Sequence, residues 1–337
     1  MGRSRLGQGP RDQAHEAVTP RSPPGGECPY NRLMHILISG ASGLIGSSLA
    51  PRLSASGHRV SRLVRVRGGR GGARGSGGAA VPWDPESGVL DPSCLSGVDA
   101  IVHLSGESIA GGPWSKKRRE RIRNSRIRTT RLLAETLAQM SPRPAVLVQA
   151  SAVGYYGSRG EDTLTETSSA GAGFLADLCR DWEAASMPAQ DAGVRVTRLR
   201  TAPVLSAKGG MLAAILPIFR LGLGGRLGNG RQWMSWISLD DHLSVIERAL
   251  QDSSMRGSIN AASPEPVRNA AFTKALGRAL HRPTILPAPE FALRMALGRA
   301  RAEELLLTSQ RVTPEALVAS DFRFQHPRLE EALRAAL

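Results

Sequence analysis

The segment that most constrains the fold is HILISGASGLIGSSLA, residues 35–50. It starts as an apolar, strand-like run, breaks at three glycines spaced G-x-x-G-x-x-G, and resumes as a helix-like run. Gly40 allows a tight turn, Gly43 lets a pyrophosphate approach the backbone, and Gly46 lets the helix pack closely on the strand. The free amides at the helix N-terminus favour anions. The segment predicts a dinucleotide site, and a merely tight turn is the alternative.

Strand-like and helix-like segments alternate after this turn, which predicts right-handed crossovers and a parallel sheet. The fold class is therefore α/β: a Rossmann doubly wound parallel sheet with a smaller C-terminal substrate lobe. The predicted strands are Ile36–Ser39, Arg59–Val64, Val81–Trp83, Ala100–Leu104, Ala145–Ala150 and Val194–Leu199. The predicted helices include Leu44–Ser56, a basic helix within Lys116–Arg131, and Gly173–Asp191.

Composition shifts predict four regions. Residues 1–33 are rich in Pro, Gly and charge and are expected to be disordered, and Met34 is an alternative start. Residues 34–204 form the nucleotide-binding domain, with strands returning from 205–265, and a glycine–arginine loop follows the second strand. Residues 205–282 form a substrate-side lobe, with a hairpin or loop leading to a helix near Asp240 and a helix Asn269–Leu280 capped by Asn269. Residues 283–337 form a small, mostly helical domain.

The chain is basic, with 44 lysines and arginines, 29 acidic residues and a formal net charge of +15. Its densest basic run, Lys116–Arg131, contains Ile122 and Ile127 and continues into Leu132 and Leu133, roughly at helical spacing. That pattern indicates a helix with one buried face. Because no aromatic residues are interleaved with the charges, the run does not favour nucleic-acid binding.

No apolar run is long enough to cross a bilayer, so no membrane partner is predicted. Three cysteines, Cys28, Cys94 and Cys179, are widely spaced and form neither a disulfide framework nor a zinc motif. The sequence therefore predicts a cytoplasmic protein with no metal site.

Charge at the end of the second strand favours one cofactor, NADP. An NAD site usually has an acidic residue there for the ribose 2′-hydroxyl. This strand instead contains Arg62, Arg65 and Arg67, with no acid nearby. A guanidinium binds a 2′-phosphate in a fork, so Arg65 is the best candidate. The alternative is that these are ordinary surface arginines.

Several motifs occur together and in order: HLSGE (103–107), SRIRTT (125–130), SAVGYYG (151–157), DWE (181–183), RTAPVL (200–205) and GNGRQWMSWI (228–237). With them the chain resembles the extended short-chain dehydrogenase/reductases. More narrowly, it resembles the atypical NADP-binding epimerase-family proteins, which have a C-terminal domain of unknown function. The resemblance extends from about Met34 to Leu337.

The resemblance implies a nicotinamide cofactor across the strand ends. The pyrophosphate would contact the glycine turn, Arg65 the 2′-phosphate, and Trp83 and Asp84 the adenine. The other cofactor residues that it implies are Gly40, Ser42, Gly43, Leu44, Ile45, Gly46, Leu104, Ser105, Gly106, Glu107, Ser151, Ala152, Thr201, Ala202, Pro203 and Val204.

The Tyr-x-x-x-Lys pair of the extended enzymes has no counterpart here. The Tyr and Lys positions correspond to Phe174 and Leu178, or one residue later to Leu175 and Cys179. The Ser or Thr that these enzymes have on the preceding strand corresponds to Ala152. The catalytic candidates that remain are Tyr156 and Ser151. Packing against the cofactor is the alternative for Tyr156.

Three nearby residues have competing interpretations. Cys179 is a buried thiol or a nucleophile. Glu183 makes a helix-surface or capping contact or acts as a base. Glu107 binds a substrate hydroxyl or holds the 113–116 loop. His103 and His58 are interpreted as structural.

The segment Arg226–Ile237 lies where extended family members bind the distal half of the substrate. The predicted substrate residues are Tyr155, Arg231, Gln232, Trp233 and Trp236. A guanidinium with indoles suits a ring with an anionic group, such as a sugar nucleotide, and packing of the two tryptophans is the equal alternative. Asp240, Asp241 and His242 begin a helix. Carboxylates at a helix N-terminus interact favourably with the helix dipole, so these residues do not indicate a metal site.

The leading hypothesis is an NADP(H)-dependent oxidoreductase, or a nucleoside-diphosphate-sugar epimerase-like enzyme, that lacks the Tyr–Lys pair. The alternative is a non-catalytic NADP(H)-binding protein with a redox-sensing or regulatory role. The expected partner is a small-molecule substrate, and the expected state is a monomer or a homodimer.

Overall fold

A computed structural model of the chain describes residues 1–2, 33–66 and 79–337. The predictions for the N-terminal extension and for the glycine–arginine loop concern residues 3–32 and 67–78, which lie outside the described residues, as do Cys28 and Arg67. Contacts group Leu33–Leu337 into one unit. The boundaries at residues 204 and 282 stay predictions.

The strands within the described residues are short to medium in length. They are β1 (His35–Ser39), β2 (Arg59–Arg65), β3 (Ala80–Trp83), β4 (Ala100–His103), β5 (Val146–Ala152), β6 (Thr163–Leu164), β7 (Arg195–Thr201), β8 (Val204–Leu205), β9 (Trp233–Met234), β10 (Ile237–Ser238), β11 (Gly257–Ala261), β12 (Val267–Arg268) and β13 (Arg311–Val312).

The helices follow most of the longer strands. They are α1 (Leu44–Ala55), α2 (Lys116–Gln139), α3 (Phe174–Ala184), α4 (Met187–Asp191), α5 (Gly210–Arg220), α6 (Leu239–Gln251), α7 (Asn269–Leu280), α8 (Glu290–Leu297), α9 (Arg299–Arg301), α10 (Glu315–Ala319) and α11 (Leu329–Ala336). Short 3₁₀ turns occur at Pro92–Leu95 and Val153–Tyr156, and a π turn occurs at Ala302–Leu306.

Seven strands form one sheet in the order β11-β7-β5-β4-β1-β2-β3, and every neighbouring pair is parallel. The chain moves outward from β1 to β3 and then returns to the other side of β1. The order therefore reverses between β1 and β4, where open α/β sheets form a crevice at the carboxyl ends of the strands. The predicted doubly wound parallel sheet is confirmed.

Both faces of the sheet are covered, because successive side chains of a strand point to opposite sides. In β1, Ile36 and Ile38 pack in the cluster that contains residues of α1 and α6, whereas Leu37 packs in the cluster that contains residues of α2. All three side chains are fully buried. A strand that is buried on both faces has a continuous apolar sequence, and β1 has such a sequence.

The basic helix α2 is anchored on one apolar side, as its spacing predicts. Ile122 and Leu133 are fully buried, and Ser115 caps the N-terminus by accepting from the Arg118 amide. No helix in the described residues is both long and apolar enough to span a bilayer.

Two predicted boundaries are wrong for identifiable reasons. The predicted helix Gly173–Asp191 is two helices, α3 and α4, with Pro188 in the first turn of α4. Proline lacks the amide that would continue the first helix. The cap of α7 is Arg268 rather than Asn269, and the Asn269 side chain instead accepts from the Leu227 amide at 2.8 Å.

The segment before α6 is not a hairpin. Strand β9 pairs antiparallel with β12, and β10 pairs parallel with β8. Strand β13 of the C-terminal region pairs with β6, which follows the turn after β5. Helix α6 begins at Leu239 and is capped by Ser238.

We expect Gly46→Ala to destabilise the fold by about 1–3 kcal/mol, because a Cβ at this position would lie 2.4 Å from the Gly40 carbonyl oxygen. Gly43→Ala is the control, since its Cβ would lie 3.4 Å from the same oxygen. Urea unfolding of the two variants measures the difference. Equal stability of both variants would contradict the close approach of α1 to the turn.

Candidate cofactor site and apolar cavity

The glycine turn after β1 has the geometry that the sequence predicts. Gly40 has a φ of +71°, and a Cβ on it would lie 2.8 Å from the Leu104 carbonyl carbon and oxygen. The Gly43 amide donates to the Gly40 carbonyl at 3.0 Å and closes the turn. Gly40 and Gly46 are therefore required by the close packing of β1, β4 and α1, and not only by a ligand.

No side chain caps the N-terminus of α1. Gly43 stands at the cap position with no side-chain hydrogen bond, and the first turn contains no acidic residue. In contrast, Ser115 caps α2 and Ser238 caps α6. The first amides of a helix have no partner within the helix. The positive end of α1 is therefore open to an anion.

A crevice of about 540 Å³ lies at this end of α1 and at the carboxyl ends of β1, β2, β3 and β4. The predicted cofactor residues that line it are Gly40, Ser42, Gly43, Arg65, Trp83, Leu104, Ser105 and Gly106. Leu44, Ile45 and Gly46 form the first turn of α1 beside it. The crevice is polar on its α1 side and basic at the end of β2.

Arg65 and Trp83 are register partners at the edge of the crevice. Arg65 is exposed, whereas Trp83 is only 1% exposed and its Nε1 has no hydrogen-bond partner among the described residues. Asp84 does not line the crevice, because its carboxylate accepts from the Glu86 and Ser87 amides and the Ser87 hydroxyl. Its role at the adenine stays a prediction that this turn does not favour.

His103 lies in a buried polar chain beneath the crevice. Its Nδ1 is 2.6 Å from Ser39 Oγ, and its Nε2 is 3.0 Å from Thr130 Oγ1, which also accepts from Trp182 Nε1 at 3.0 Å. Burial, assisted by the charge of Arg65, lowers the pKa of His103 to about 3. A neutral imidazole with both nitrogens in use is structural, as the sequence indicates. His58 is similarly occupied, since its Nδ1 accepts from the Met34 amide.

A second cavity, of about 310 Å³, lies at the carboxyl ends of β5 and β7. We call it the apolar cavity. The predicted residues that line it are Ala152, Thr201, Ala202, Pro203 and Trp233, whereas Ser151 and Val204 do not. The apolar side chains that line it include Leu175, Leu178, Met211, Ile215, Phe219, Phe272 and Leu305. The Thr201 hydroxyl donates to the Leu199 carbonyl at 3.2 Å and lies 3.0 Å from Nε2 of His242.

Helix α3 contains no tyrosine and no lysine. A Cβ built on Gly154 would lie 3.4 Å from Leu175 Cβ and 3.7 Å from Cys179 Sγ. Leu175, Leu178 and Cys179 all line the apolar cavity, whereas Phe174 packs against Trp114 at 5.1 Å between ring centroids. Leu175 and Cys179 are the two positions that also lie beside Gly154, directly after β5, so the structure favours this register.

The Cys179 thiol is buried, and burial raises its pKa to about 12. At neutral pH it is protonated. This supports the interpretation of Cys179 as a small buried side chain rather than a nucleophile, since the thiolate is the reactive form.

Tyr156 is fully buried, and its hydroxyl is used within the protein. The hydroxyl donates to Asn260 Oδ1 at 2.6 Å and accepts from Arg200 Nη1 at 3.0 Å. Burial raises the pKa of Tyr156 to about 12. Proton transfer by Tyr156 stays a prediction, and this geometry favours the packing alternative.

A buried ion pair joins Glu183 of α3 to Arg200 of β7. Arg200 Nε and Nη2 donate to the two Glu183 oxygens at 2.9 and 3.0 Å, and the hydroxyls of Ser151 and Ser258 donate to the same carboxylate. The side chains are 10% and 5% exposed. The expected helix-surface contact of Glu183 is therefore wrong, because α3 turns this residue toward the sheet. Ser151 is likewise committed to this pair.

Trp233 is the predicted substrate residue that lines the apolar cavity. Its indole donates to Glu161 at 3.0 Å and lies beneath the guanidinium groups of Arg268 and Arg311, at 4.0 and 4.6 Å. Trp236 is only 1% exposed and donates to the Glu265 carbonyl, which is packing.

The other three predicted substrate residues lie away from the cavity lining. Gln232 donates to the Leu227 and Leu306 carbonyls, and Arg231 is exposed. The Tyr155 ring lies 3.5 Å from the guanidinium carbon of Arg200. Their substrate roles stay predictions.

Two acidic residues tie loops to helices. Glu107 pairs with Arg118, which also donates to the Ser108 carbonyl, so the carboxylate holds this loop against α2. Glu304, from the C-terminal region, accepts from the Phe174 and Leu175 amides at 3.2 and 2.8 Å and caps α3. Sequence reasoning missed Glu304, because its partners lie about 130 residues away in the chain.

Two family models match this chain, and together they cover most of it. Residues 36–262 match the NAD dependent epimerase/dehydratase family, and residues 288–336 match a domain of unknown function, DUF1731. The chain belongs to the NAD dependent epimerase/dehydratase family. The resemblance inferred from the motifs, including the C-terminal domain, is confirmed.

Relatives of similar length span most of the chain. The epimerase family protein Mb2239 of Mycobacterium bovis is 46% identical over 298 residues, which are 88% of this chain and 96% of that protein. A chloroplastic homologue of SDR39U1 from Arabidopsis thaliana is 37% identical over 90% of this chain and 87% of its own. The crystal structure of human epimerase family protein SDR39U1 with NADPH has a TM-score of 0.80 at 31% identity, covering 90% and 99% of the two chains.

No group of three or more His, Cys, Asp or Glu side chains that could hold a metal ion occurs in residues 33–66 and 79–337. The cytoplasmic location stays a prediction.

We expect Glu183→Gln to destabilise the protein by about 3–5 kcal/mol, because it leaves the buried Arg200 guanidinium without its counter-ion. Glu330→Gln is the matched control, since its ion pair with Arg278 is exposed and worth about 0–1 kcal/mol. Chemical unfolding measures both changes, and a loss at Glu183 no larger than the control would contradict the buried pair.

We expect the free energy of unfolding to fall as the pH drops from about 6.5 to 5. Burial lowers the pKa of His103 to about 3 and that of His242 to about 4, both from an ordinary value of 6.5. Below pH 6.5 the unfolded chain binds protons that the folded chain does not, so each histidine contributes a slope of up to about 1.4 kcal/mol per pH unit.

His103→Asn tests that pH dependence directly. Urea unfolding between pH 6.5 and 5 is expected to give a shallower slope for this variant. His281→Asn, at an exposed position, is expected to keep the original slope. An unchanged slope in His103→Asn would show that folding does not lower the pKa of His103.

Proposed function

We propose that this protein binds NADP(H) in the crevice at the glycine turn. The observation that supports this proposal is the uncapped N-terminus of α1, which opens on a crevice that has an exposed arginine, Arg65, at its edge. The human relative of 31% identity that was crystallised with NADPH supports the same choice. In this arrangement Gly40–Gly46 hold the diphosphate and Arg65 binds the 2′-phosphate.

The residues of the crevice fit such a cofactor. A side chain at Gly40 would collide with the backbone of Leu104, so the turn keeps its amides bare. No acidic side chain lines the crevice within the described residues. A carboxylate there would repel a 2′-phosphate, whereas a guanidinium binds it in a fork.

The reaction that the apolar cavity supports best is an oxidoreduction of a small apolar molecule with a carbonyl or hydroxyl group. NADPH supplies a hydride when bound. The apolar lining excludes water and offers few partners for hydroxyl groups, which favours an apolar substrate over a sugar. The reaction proceeds without a Tyr–Lys pair, because Leu175 and Cys179 occupy those positions.

The second candidate is a non-catalytic NADP(H)-binding protein that reports redox state to a partner. The observation that favours it is the same pair of positions: Leu175 is apolar, and Cys179 is a buried thiol with a raised pKa. Neither side chain reproduces a phenol whose pKa is lowered by a neighbouring ammonium group.

Turnover distinguishes the two candidates. Protein saturated with NADPH is incubated with a panel of apolar ketones, conjugated enones and quinones, each class with and without a carboxylate group, and NADPH fluorescence and product formation are followed. Oxidation of NADPH by one member, lost in a variant that no longer binds NADPH, is the expected result. Tight NADPH binding with no turnover at high enzyme concentration would favour the regulatory candidate, as would a captured partner that differs between NADP⁺ and NADPH.

We expect Arg65→Asp to weaken NADPH binding about 10- to 100-fold, because a charge-assisted hydrogen bond contributes about 1.5–3 kcal/mol. NADH binding should change much less. Arg59→Asp, at the opposite end of β2 and also exposed, is the matched control and should leave both affinities unchanged. Calorimetric titration with each nucleotide measures this, and equal losses for NADPH and NADH would show that Arg65 does not contact a 2′-phosphate.

A further inference from the structure

Arg126 of α2 lies at the border of the crevice and the apolar cavity. Its side chain lines the apolar cavity. Its guanidinium carbon also lies 3.0 Å from the position that a Cβ on Gly106 would occupy, so the group rests flat against a backbone segment that lines the crevice. On its other side the guanidinium carbon is 5.1 Å from the ring centroid of Trp182.

The hydrogen bonds of Arg126 use only one of its nitrogens. Nη1 donates to the Glu107 carbonyl at 2.9 Å and the Ile122 carbonyl at 3.2 Å, with a longer contact to Ser125 Oγ at 3.4 Å. Across the part of the chain that the structure describes, Nε and Nη2 have no hydrogen-bond partner, and no carboxylate lies within 4 Å. Burial lowers the pKa of this guanidinium, but it stays charged at neutral pH.

Other arginines of α2 are arranged differently. Arg118 and Arg121 pair with Glu107, Arg123 pairs with Asp181, and Arg131 pairs with Glu135. Arg126 differs from these four, because it lines the apolar cavity and has no carboxylate within 4 Å. The charge of Glu107 reaches Arg126 only from beyond 4 Å. A cation buried with so little compensation is costly, and an anion that arrives with a ligand lowers this cost.

We propose that Arg126 is the anion-binding residue of the apolar cavity, and that the cavity takes a small carboxylate with an apolar body. The two carboxylate oxygens bind Nε and Nη2, whose fork matches their spacing. The hydrocarbon part packs against Leu175, Met211 and Phe219. A cavity of about 310 Å³ limits the ligand to a small molecule. This assignment rests on the proposed function, in which the apolar cavity is the substrate site.

Cinnamate and its neutral analogue cinnamamide are suitable probes, because they share an apolar body and differ in charge. In calorimetric titration of the NADPH-saturated protein, we expect cinnamate to bind at least about 10-fold more tightly than cinnamamide. The reason is that a charge-assisted hydrogen bond to Arg126 contributes about 1.4 kcal/mol or more. Arg126→Met is expected to abolish this preference. Arg128→Met, which removes an exposed arginine from the same helix, is expected to keep it.

The affinity for NADPH is measured in the same variants, because the diphosphate of the cofactor is the other anion within reach. An unchanged NADPH affinity in Arg126→Met supports the assignment to the substrate. A loss of about 10-fold or more would overturn it and assign the guanidinium to the cofactor. Equal binding of cinnamate and cinnamamide by the original protein, or no binding of cinnamate, would also overturn it.

Two further measurements separate a failure of this inference from a folding defect of the variant and from a failure of the proposed cofactor function. Arg126→Gln keeps a planar polar group without charge. It replaces Arg126→Met if circular dichroism shows that the methionine variant does not fold. The glutamine variant is likewise expected to lose the preference for cinnamate. If the original protein binds no NADPH, the proposed cofactor function fails. The comparison of cinnamate with cinnamamide on the cofactor-free protein then still tests Arg126.

Discussion

The close approach of α1 to the end of β1 is the constraint on which the rest of the structure depends. Gly46 lies so near the Gly40 carbonyl that no side chain fits between them. This contact fixes the direction of α1 and brings its uncapped N-terminus to the place where the strand order reverses. The crevice beside β2, β3 and β4 exists because β1 ends in this turn rather than in a longer loop.

A second organising contact lies in the other half of the molecule. The Glu183–Arg200 pair joins α3 to β7, and it also receives hydroxyls from β5 and β11. Arg200 further donates to Tyr156, whose hydroxyl reaches Asn260. Five neighbouring structural segments, counting the 3₁₀ turn that contains Tyr156, are thus joined by one buried charge pair. Breaking such a pair is costly because the remaining charge stays buried. The hydroxyls of Ser151 and Tyr156 both hydrogen-bond to members of this pair.

The two cavities differ in the chemistry that they can bind. The crevice offers backbone amides and an exposed arginine, which suits phosphate groups. The apolar cavity offers mostly hydrocarbon side chains and the guanidinium of Arg126, which has no carboxylate within 4 Å, and this combination suits an apolar anion. Arg126 stands between them and belongs to the SRIRTT motif, although the motif alone did not indicate its role. The C-terminal region completes the second cavity, since Glu304 caps the helix that faces it.

The amino-acid sequence by itself determined the local features: the glycine turn, the alternation of strands and helices, and the arginine at the end of β2. Each depends on residues close together in the chain, where spacing is a direct signal of geometry. Only the tertiary structure decided the partners of Glu183, Tyr156 and Arg126. Those residues meet groups that are distant in sequence or arranged around a cavity, and a buried charge or hydroxyl is assigned a role by what surrounds it rather than by its neighbours in the chain.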